Sequence, residues 1–288
     1  MPMKSAVMVS KKTSPRRSRG PDVSVVLAFV ALAAILAAVV LGDVITRYGA
    51  TTPILGARLQ PPSLAHFFGT DNFARDVFDR AIVGARTSII IGLGTAIVSS
   101  VLGGACGILV AVWRGLDNFV MRILDGFIAF PPIILAILII ATFGGGYWQV
   151  IFALSVVFFP RIARVTRGVS LGVTSAPFVE AVKVMGGPRW RAAVRHVMPN
   201  TIGPIAVQAT YVMARAIVID AGLSFLGLSV PPPTPSWGNM LGEGRLYITQ
   251  AWWLTIAPGL CIAVTAMAVN IIGDWLRDKS DVITGGKR

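Results

Sequence analysis

Six long apolar segments, separated by short polar stretches, run along the chain. A membrane-spanning helix needs about 20 consecutive, mostly apolar residues to cross the hydrocarbon layer, and the segments are close to that length. They cover residues 23–41, 88–112, 123–143, 147–162, 202–226 and 254–272. The pattern predicts an all-α membrane protein with six transmembrane helices.

The positions of glycine and proline add detail to the prediction for two of these helices. Gly103 and Gly107 are spaced so that the second helix can approach a neighbour closely. Pro131 and Pro132 interrupt the third helix, where we expect a kink. The first segment follows a basic stretch, as the apolar part of a signal peptide does. We interpret it as an uncleaved helix, because it exceeds the roughly 7–15 apolar residues of a signal peptide and no small-residue cleavage site follows.

Composition agrees with a membrane protein. Charged residues make up 14% of the 288 residues, whereas about a quarter of a soluble domain is charged. The net charge of +13 would indicate nucleic-acid binding in a soluble protein. Here, however, 19 of the 26 Lys and Arg fall in the termini and in alternate loops. Because positive loops stay in the cytoplasm, we expect both termini there and no nucleic-acid partner.

We divide the chain into five parts. These are a basic cytoplasmic tail (1–22), a first transmembrane helix (23–45), an extracytoplasmic linker (46–86), a five-helix core (87–273) with a cytoplasmic loop at 163–201, and a cytoplasmic C-terminal tail (274–288). Within the linker, residues 70–86 predict an amphipathic surface helix that leads into the second span. Ion pairs four residues apart, Asp76 with Arg80 and Arg75 with Asp79, would support it.

The loop at 163–201 predicts a helix-turn-helix. We expect Ser175 to cap a helix that starts at Pro177. Gly186 should end it, because glycine accepts a left-handed conformation, and a second short helix should run from Pro188 to Pro199. Four side chains make the element cationic: Lys183, Arg189, Arg191 and Arg195. It is either a docking surface for a soluble partner or a plain connection, and its length favours docking since ordinary connections take only a few residues.

Four residues of this loop, Glu180, Ala181, Gly186 and Pro199, carry a resemblance. They match the cytoplasmic loop of the permease subunits of bacterial ATP-binding-cassette importers, although Val182 stands where that pattern has a second alanine. Residues 69–77, 223–230 and 232–241 resemble the C-type subunits of the dipeptide, oligopeptide and nickel group. Ala74, within the first of these stretches, replaces the glycine that is usual in that group. Asp220, just before the second stretch, replaces the usual glutamate.

The resemblance implies a type I, MetI-like permease fold, located in the bacterial inner membrane with a cytoplasmic coupling helix. Its partners would be a second homologous permease subunit in a heterodimer, two cytoplasmic ATPase subunits, an extracytoplasmic substrate-binding protein and membrane lipid. The residues that dock on an ATPase subunit would be Glu180, Ala181, Lys183, Gly186, Arg189 and Pro199. The cargo would be di- or oligopeptides, with nickel or haem as alternatives.

A proline-rich loop follows the fifth apolar segment. The resemblance places this loop over the outer gate, with Pro232, Pro233 and Trp237 as candidate residues; a purely architectural role is the alternative. Trp237, Trp252 and Trp253 are also expected in the belt of aromatic residues found at membrane surfaces.

Two ionisable residues, Arg215 and Asp220, fall within the fifth apolar segment. Charged groups are costly inside a membrane, and their presence marks a functional pathway by default. A buried ion pair, formed between the two or with a partner subunit, is the structural alternative.

Several kinds of chemistry find no support in the sequence. There is no phosphate-binding loop of the Gly-x-x-x-x-Gly-Lys-Ser/Thr type, so ATP hydrolysis falls to partner subunits and the chain is not an enzyme by itself. No catalytic triad, metal-ligand spacing or cofactor is expected. Cys106 and Cys261 should be free thiols in apolar surroundings. A self-sufficient secondary transporter or channel is a weaker alternative, because it predicts ionisable residues in several spans and often internal repeats.

Overall fold

The computed structural model describes residues 22–285, without the side chains of Lys183 and residues 281–285. Nearly all of the predicted basic tail, 1–22, therefore lies outside the described residues, as do residues 286–288. The α-helices of the described part are α1 (Val23–Ile45), α2 (Val77–Val112), α3 (Asp117–Ala129), α4 (Pro132–Phe143), α5 (Tyr147–Thr174), α6 (Pro177–Val184), α7 (Arg189–Ala192), α8 (Met198–Phe225), α9 (Trp237–Gly244) and α10 (Trp253–Gly285). Two 3₁₀ turns, Arg114–Leu116 and Arg245–Tyr247, and a π-helical turn, Ala193–Val197, complete them.

Five helical stretches are long and apolar enough to cross a membrane: Val23–Ile45, Val77–Val112, Tyr147–Thr174, Arg189–Phe225 and Trp253–Ser280. The third predicted span is divided into α3 and α4, whose directions differ by 93°. The prediction of a kink within one helix is therefore wrong. Phe130 has extended angles (φ −81°, ψ 138°), because the residue before a proline is excluded from the helical conformation. Counted as one broken span, α3 and α4 bring the total to six.

α2 packs on its neighbours at distances that only glycine allows. A Cβ atom added to Gly103 would lie 2.8 Å from the Cβ of Ile162 in α5. One added to Gly107 would lie 2.5 Å from the carbonyl oxygen of Ala163. Gly92 approaches α8 just as closely. The close packing predicted from Gly103 and Gly107 is confirmed, and α2 forms the centre of the bundle.

Apolar side chains fill the space between α2, α4, α5 and α8. Because lipid tails are as apolar as these side chains, packing between the spans stabilises the bundle through van der Waals contact. α1 lies beside this core, where Ala28 packs with Ala268 and Ile272 of α10. The ring of Phe29 meets that of Trp275 edge-on at 5.5 Å. The largest cluster includes Ile91, Ile140, Val150, Leu154, Phe158, Ile162, Val212 and Leu223.

The linker between α1 and α2 consists of turns, with a single β-bridge between Thr70 and Asp76. α2 starts at Val77 and continues through the membrane span without a break. The prediction of a separate amphipathic helix over 70–86 is therefore wrong. At the other end of the chain, α10 runs on to Gly285, so the described part of the predicted C-terminal tail extends the last helix.

Candidate functional site

At one end of the bundle the chain turns twice between α5 and α8. α5 ends at Thr174, and the hydroxyl of Ser175 donates a hydrogen bond back to the carbonyl oxygen of Leu171 at 2.9 Å. Ser175 thus closes α5 and does not cap the following helix, contrary to the sequence prediction. α6 begins at Pro177 as predicted, and the carbonyl oxygen of Ala176 accepts its first backbone hydrogen bonds.

Two glycines end α6 in the left-handed turn that the sequence predicted. Gly186 has φ +75°, and the N–H of Gly187 donates to the carbonyl oxygen of Val182 at 2.9 Å, the bond that defines a Schellman motif. A Cβ added to Gly187 would lie 2.8 Å from that oxygen, whereas one added to Gly186 would meet no atom within 4 Å. Gly186 therefore faces open space at the end of α6.

α7, the π-helical turn and α8 form one continuous helical stretch from Arg189 to Phe225. The prediction that Pro199 ends the second helix is wrong, because Pro199 lies in the first turn of α8. Proline has no N–H to donate to the preceding turn of this continuous stretch. The π-helical turn widens the backbone just before it. Pro188 precedes α7 as its N-cap.

The end of this loop exposes apolar and basic side chains together. Val184 and Met185 are 89% and 77% exposed. Trp190 is 58% exposed, and the guanidinium of Arg191 lies 5.9 Å from its ring centroid. A cluster of this kind is typical of a protein–protein contact. We call it the tip surface; its exposed residues are Glu180, Ala181, Val184, Met185, Gly186, Arg189, Trp190 and Arg191.

The structure brings most of the predicted docking residues to the tip surface. Glu180 lies in the first turn of α6, where a negative charge is favoured by the helix dipole. Ala181, Gly186 and Arg189 are exposed close by, and Pro199 is exposed farther along at the start of α8. The side chain of Lys183 lies outside the described residues.

Internal packing holds the loop in place. Val179 of α6 is fully buried, and the ring of Phe178 meets His196 of the π-helical turn edge-on at 5.8 Å. On the other side of that turn, Ala193 and Val197 are buried. α6 is therefore packed against the helical turn that precedes α8.

Arg215 and Asp220 do not form the buried ion pair that was one interpretation of the sequence. Asp220 is 1% exposed, and its carboxylate accepts a hydrogen bond from the hydroxyl of Ser229 at 2.6 Å. Among the described side chains, no Lys or Arg forms a salt bridge with Asp220. Arg215 is exposed instead, on the wall of a cavity of about 180 Å³ that it shares with Arg161.

The sequence did not predict a buried ionic network at the opposite end of the bundle. Asp71 accepts hydrogen bonds from Nε of Arg75 at 2.7 Å and Nη1 of Arg80 at 2.6 Å. Glu243 of α9 accepts from Nη2 of Arg75 at 2.9 Å and Nη2 of Arg80 at 3.2 Å. The expected pairs of Asp76 with Arg80 and of Arg75 with Asp79 are therefore wrong. No local pattern could reveal Glu243, which is 163 residues from Arg80.

Two carboxylates and two guanidinium groups make this network neutral. Burial raises the pKa of Asp71 and that of Glu243, and the charge of Arg80 opposes both rises. Asp76, which was expected in an ion pair, instead caps α2: its carboxylate accepts the N–H of Phe78 at 2.9 Å. The network joins the segment before α2 to α9.

The backbone of the same segment has two residues other than glycine with positive φ, Leu59 and Ala74. Gly69 and Ala74 both have positive φ, +71° and +60°. The left-handed conformation is unfavourable for alanine because its Cβ lies too close to the backbone, whereas glycine has no Cβ. Glycine would therefore suit position 74 better than alanine does.

The proline-rich loop leads into α9, and Pro232 and Pro233 are exposed there with a cis peptide bond between them. Ser236 and Asn239 then form a capping box that starts α9. Trp237, between them, is only 2% exposed, and its Nε1 donates to the carbonyl oxygen of Ala81 at 2.8 Å. Trp237 is therefore part of the core and not of a membrane-surface belt.

The belt prediction is also wrong for Trp253, which is 5% exposed and donates to the carbonyl oxygen of Thr70 at 3.1 Å. Trp252 is 53% exposed, as a belt residue would be. Within residues 22–285 no group of three or more His, Cys, Asp and Glu is placed to hold a metal ion. Cys106 and Cys261 are free thiols, as predicted.

Comparison with known proteins assigns the fold and the family. A solved structure of inward-facing conformations of the MetNI methionine ABC transporter contains a chain that superposes with a TM-score of 0.57 at 19% identity, covering 68% of this chain and 94% of that one. This likeness shows the MetI-like permease fold. A Brucella suis relative, named as a peptide transport system permease, is 41% identical over 278 residues, covering 96% of this chain and 92% of the relative.

A second relative is the dipeptide transport system permease protein DppC of Alkalihalophilus pseudofirmus. It is 37% identical over 237 residues, which cover 82% of this chain and 77% of the relative. The model of the family described as "Binding-protein-dependent transport system inner membrane component" matches residues 103–281. That range contains the tip surface, the cavity beside Arg215, and α9. The chain therefore belongs to the family of inner-membrane components of binding-protein-dependent transport systems.

Proposed function

We propose that this chain is one permease subunit of an ATP-driven importer of di- and oligopeptides, and that it forms half of the translocation pathway. Family membership supplies the transport role, and the names of the two relatives support peptides as cargo. The remaining subunits are a second homologous permease, two ATPase subunits and a substrate-binding protein outside the membrane. The described chain contributes the path and the coupling element, and the ATPase subunits contribute the hydrolysis.

The observation that carries the docking role is the open, glycine-ended tip of α6. Gly186 meets no atom within 4 Å on the side where a Cβ would stand, so the backbone of another protein can approach it closely. Exposed Val184, Met185 and Trp190 supply apolar contact area around it. Arg189 and Arg191 supply positive charge at the edge. This combination suits a groove on a soluble ATPase subunit.

The distribution of charge supports a cytoplasmic position for the tip surface. The segment from 163 to 201 holds six of the Lys and Arg residues of the chain, and loops rich in them remain in the cytoplasm. Both termini would lie on that same side. The buried ionic network and the proline-rich loop would then face the substrate-binding protein.

The helical continuity from α7 to α8 supports a mechanism of coupling. ATP binding draws the two ATPase subunits together, and each carries a tip surface with it. Because Arg189 to Phe225 is one unbroken helical stretch, displacement of α7 moves α8 as well. The permease pair thereby shifts between two states, and ATP and the loaded binding protein both bias the balance.

Substitution of Gly186 tests the docking role. Asparagine tolerates the left-handed conformation, so Gly186→Asn preserves the end of α6 while placing a side chain on the open surface. We expect substrate-stimulated ATPase activity of the reconstituted complex to fall by at least about tenfold, equivalent to about 1.4 kcal/mol at the contact. Retention of the ATPase subunits during purification should fall with it.

Gly227→Asn is the matched control. Gly227 has φ +78° and likewise meets no atom within 4 Å of an added Cβ, but it follows the other end of α8. This variant should keep full coupling. If Gly186→Asn also keeps full coupling and full ATPase retention, Gly186 serves only to end α6 and the docking proposal is wrong.

The cargo is tested by growth and uptake. The chain and its partner subunits are expressed in a bacterial amino-acid auxotroph that lacks its own peptide importers. Growth on dipeptides that contain the required amino acid, dependent on the ATPase subunits, is the expected outcome. ATP-dependent uptake of nickel or haem without peptide uptake would contradict the peptide assignment, and uptake without the ATPase subunits would indicate a secondary transporter.

A further inference from the structure

A cavity that two arginines line lies between the middle parts of α5 and α8. Its volume is about 180 Å³, far more than the roughly 10–15 Å³ that a single water molecule requires on the same kind of measure. Arg161 contributes from α5 and Arg215 from α8, and both side chains are exposed. The other lining residues are Phe158, Gln208, Tyr211 and Val212.

The cavity lies part-way along both helices. Arg161 is 14 residues from the start of α5 at Tyr147, or about 21 Å along the helix. Arg215 is ten residues from the end of α8 at Phe225, or about 15 Å. A hydrocarbon layer is about 30 Å thick, so Arg215 falls near its middle and Arg161 about two-thirds of the way across if the layer begins at those helix ends.

The two guanidinium groups have no acidic partner within the described chain. Neither Arg161 nor Arg215 forms a salt bridge with a described residue, although both line the same cavity. An acidic residue does reach the lining: Asp274 of α10 accepts the hydroxyl of Tyr211 at 2.5 Å. Asp220, five residues beyond Arg215, is bonded to Ser229.

Two unpaired arginines at this depth need water or an anion. An arginine inside a membrane helix is costly, and such residues face a water-filled path or a partner. This face of α5 and α8 therefore suits an aqueous path better than a lipid surface. Arginine rather than lysine is present on both walls, and the planar guanidinium matches the geometry of a carboxylate.

We propose that Arg161 and Arg215 form an anion subsite in the pathway, which holds the carboxylate of a peptide as it passes. The identity of the cargo rests on the proposed function, whereas the subsite rests on the cavity alone. Gln208 offers a further hydrogen-bonding group to the peptide, and Phe158 with Val212 offers apolar surface to a side chain. Because both arginines are exposed, the bound carboxylate remains accessible to water and can dissociate from the subsite.

A thiol in the cavity tests the anion preference directly. Gln208→Cys is introduced after Cys106→Ala and Cys261→Ala remove the native thiols. The complete transporter is placed in phosphatidylcholine nanodiscs, which leave both membrane faces accessible. Its reaction rates with anionic sulfonatoethyl methanethiosulfonate and cationic trimethylammonioethyl methanethiosulfonate are compared with those of a free thiol. We expect the anionic reagent to be favoured by about tenfold, a change of about 1.4 kcal/mol.

Arginine variants assign that preference to the two side chains. Arg161→Gln with Arg215→Gln should abolish it. Arg167→Gln is the matched control: Arg167 is also on α5, but Asp117 already binds it through two hydrogen bonds of 2.5 Å, so the preference should remain. No reaction with either reagent would place the cavity against lipid, and reaction without a preference for the anion would show no anion subsite. Either result overturns the proposal.

Protection by peptides then identifies the anion. Tri-alanine should slow the modification of the thiol that Gln208→Cys introduces, and tri-alanine amide, which lacks the carboxylate, should not. Equal protection by both would contradict carboxylate recognition. Protection by dioctanoyl phosphatidylglycerol but not by tri-alanine would make this a lipid headgroup site and refute the proposal. None of these measurements requires import, so failure of the peptide-import proposal in the growth test remains distinguishable from failure here.

Discussion

The indole Nε1 of Trp237 donates a hydrogen bond of 2.8 Å to the carbonyl oxygen of Ala81, 156 residues earlier in the chain. The bond joins the start of α9 to the first turns of α2. The indole is 2% exposed and packs with Ala85, Ile89 and Ile217. Trp237 therefore fixes the end of the proline-rich loop to the core of the bundle.

Substitution of Trp237 should separate the hydrogen bond from the packing. Trp237→Phe keeps an aromatic ring but removes the donor, so we expect a loss of about 1 kcal/mol. Trp237→Ala also leaves a cavity and should cost about 3–5 kcal/mol. Thermal unfolding of the purified complex measures both. Equal midpoints for the two variants would contradict a core position.

Asp71→Asn should destabilise the ionic network. The substitution leaves Arg80, whose side chain is 3% exposed, with one carboxylate fewer, and breaking a buried pair on one side costs about 3–5 kcal/mol. Asp125→Asn is the control. It breaks the pair of Asp125 with Arg164, in which both side chains are at least half exposed, so the loss should be below about 1 kcal/mol. Similar unfolding midpoints for both variants would show that the buried network contributes no more than the exposed pair.

Ala74→Gly should stabilise the protein by about 0.5–1 kcal/mol. Relief of the left-handed alanine gains about 1–2 kcal/mol, and the added freedom of glycine in the unfolded chain takes back about 0.5–1 kcal/mol. In Ala206→Gly, the same change at an exposed helical position of α8 should cost about 1 kcal/mol. Chemical denaturation should thus move in opposite directions for the two variants, and a loss at position 74 would show that the alanine is not strained.

Asp220→Asn should keep assembly and transport. No described cation pairs with Asp220, and an amide oxygen can still accept the hydroxyl of Ser229. Asp220→Leu should lower the stability of the complex by about 1–3 kcal/mol, because it leaves that buried hydroxyl without its acceptor. Uptake and thermal stability are measured side by side. Loss of uptake by a fully stable Asn variant would mean that Asp220 acts on the cargo.

Labelling of single cysteines should establish the orientation. In a background without Cys106 and Cys261, Leu55→Cys and Val184→Cys place thiols at residues that are 103% and 89% exposed. A membrane-impermeant thiol reagent should label position 55 in intact cells and position 184 only in inverted vesicles, with the ATPase subunits absent so that the tip surface is free. The reverse pattern would invert the topology and exclude docking of a cytoplasmic ATPase at the tip surface.

The sequence predicted the apolar spans and the left-handed end of α6, because both depend on local composition. Gly103 and Gly107 predicted close packing for the same reason, since glycine removes the side chain that would hold helices apart. The angle between α3 and α4 could not be predicted: a proline shows where a helix is interrupted, but tertiary packing decides how far the chain turns.

Contacts between distant residues account for the other errors. Asp71, Arg75 and Arg80 are near each other in sequence, but the partner that completes their network, Glu243, lies on α9. The spacing of four residues therefore predicted ion pairs that this partner replaces. Pro199 was predicted to end a helix because proline usually does so. The π-helical turn before it instead allows the helix to continue through Pro199.

The continuous helix from α7 through α8 has a mechanical consequence. α8 has 28 residues and is therefore about 42 Å long. A tilt of about 10° at its α7 end would displace its far end sideways by about 7 Å if it moves as a rigid rod of that length. Arg215, part-way along α8, would be displaced by a smaller distance. Because Arg161 lies on a separate helix, α5, the distance between the two arginines would change. The movement of the tip surface with its ATPase subunit would thus widen or narrow the cavity between Arg161 and Arg215.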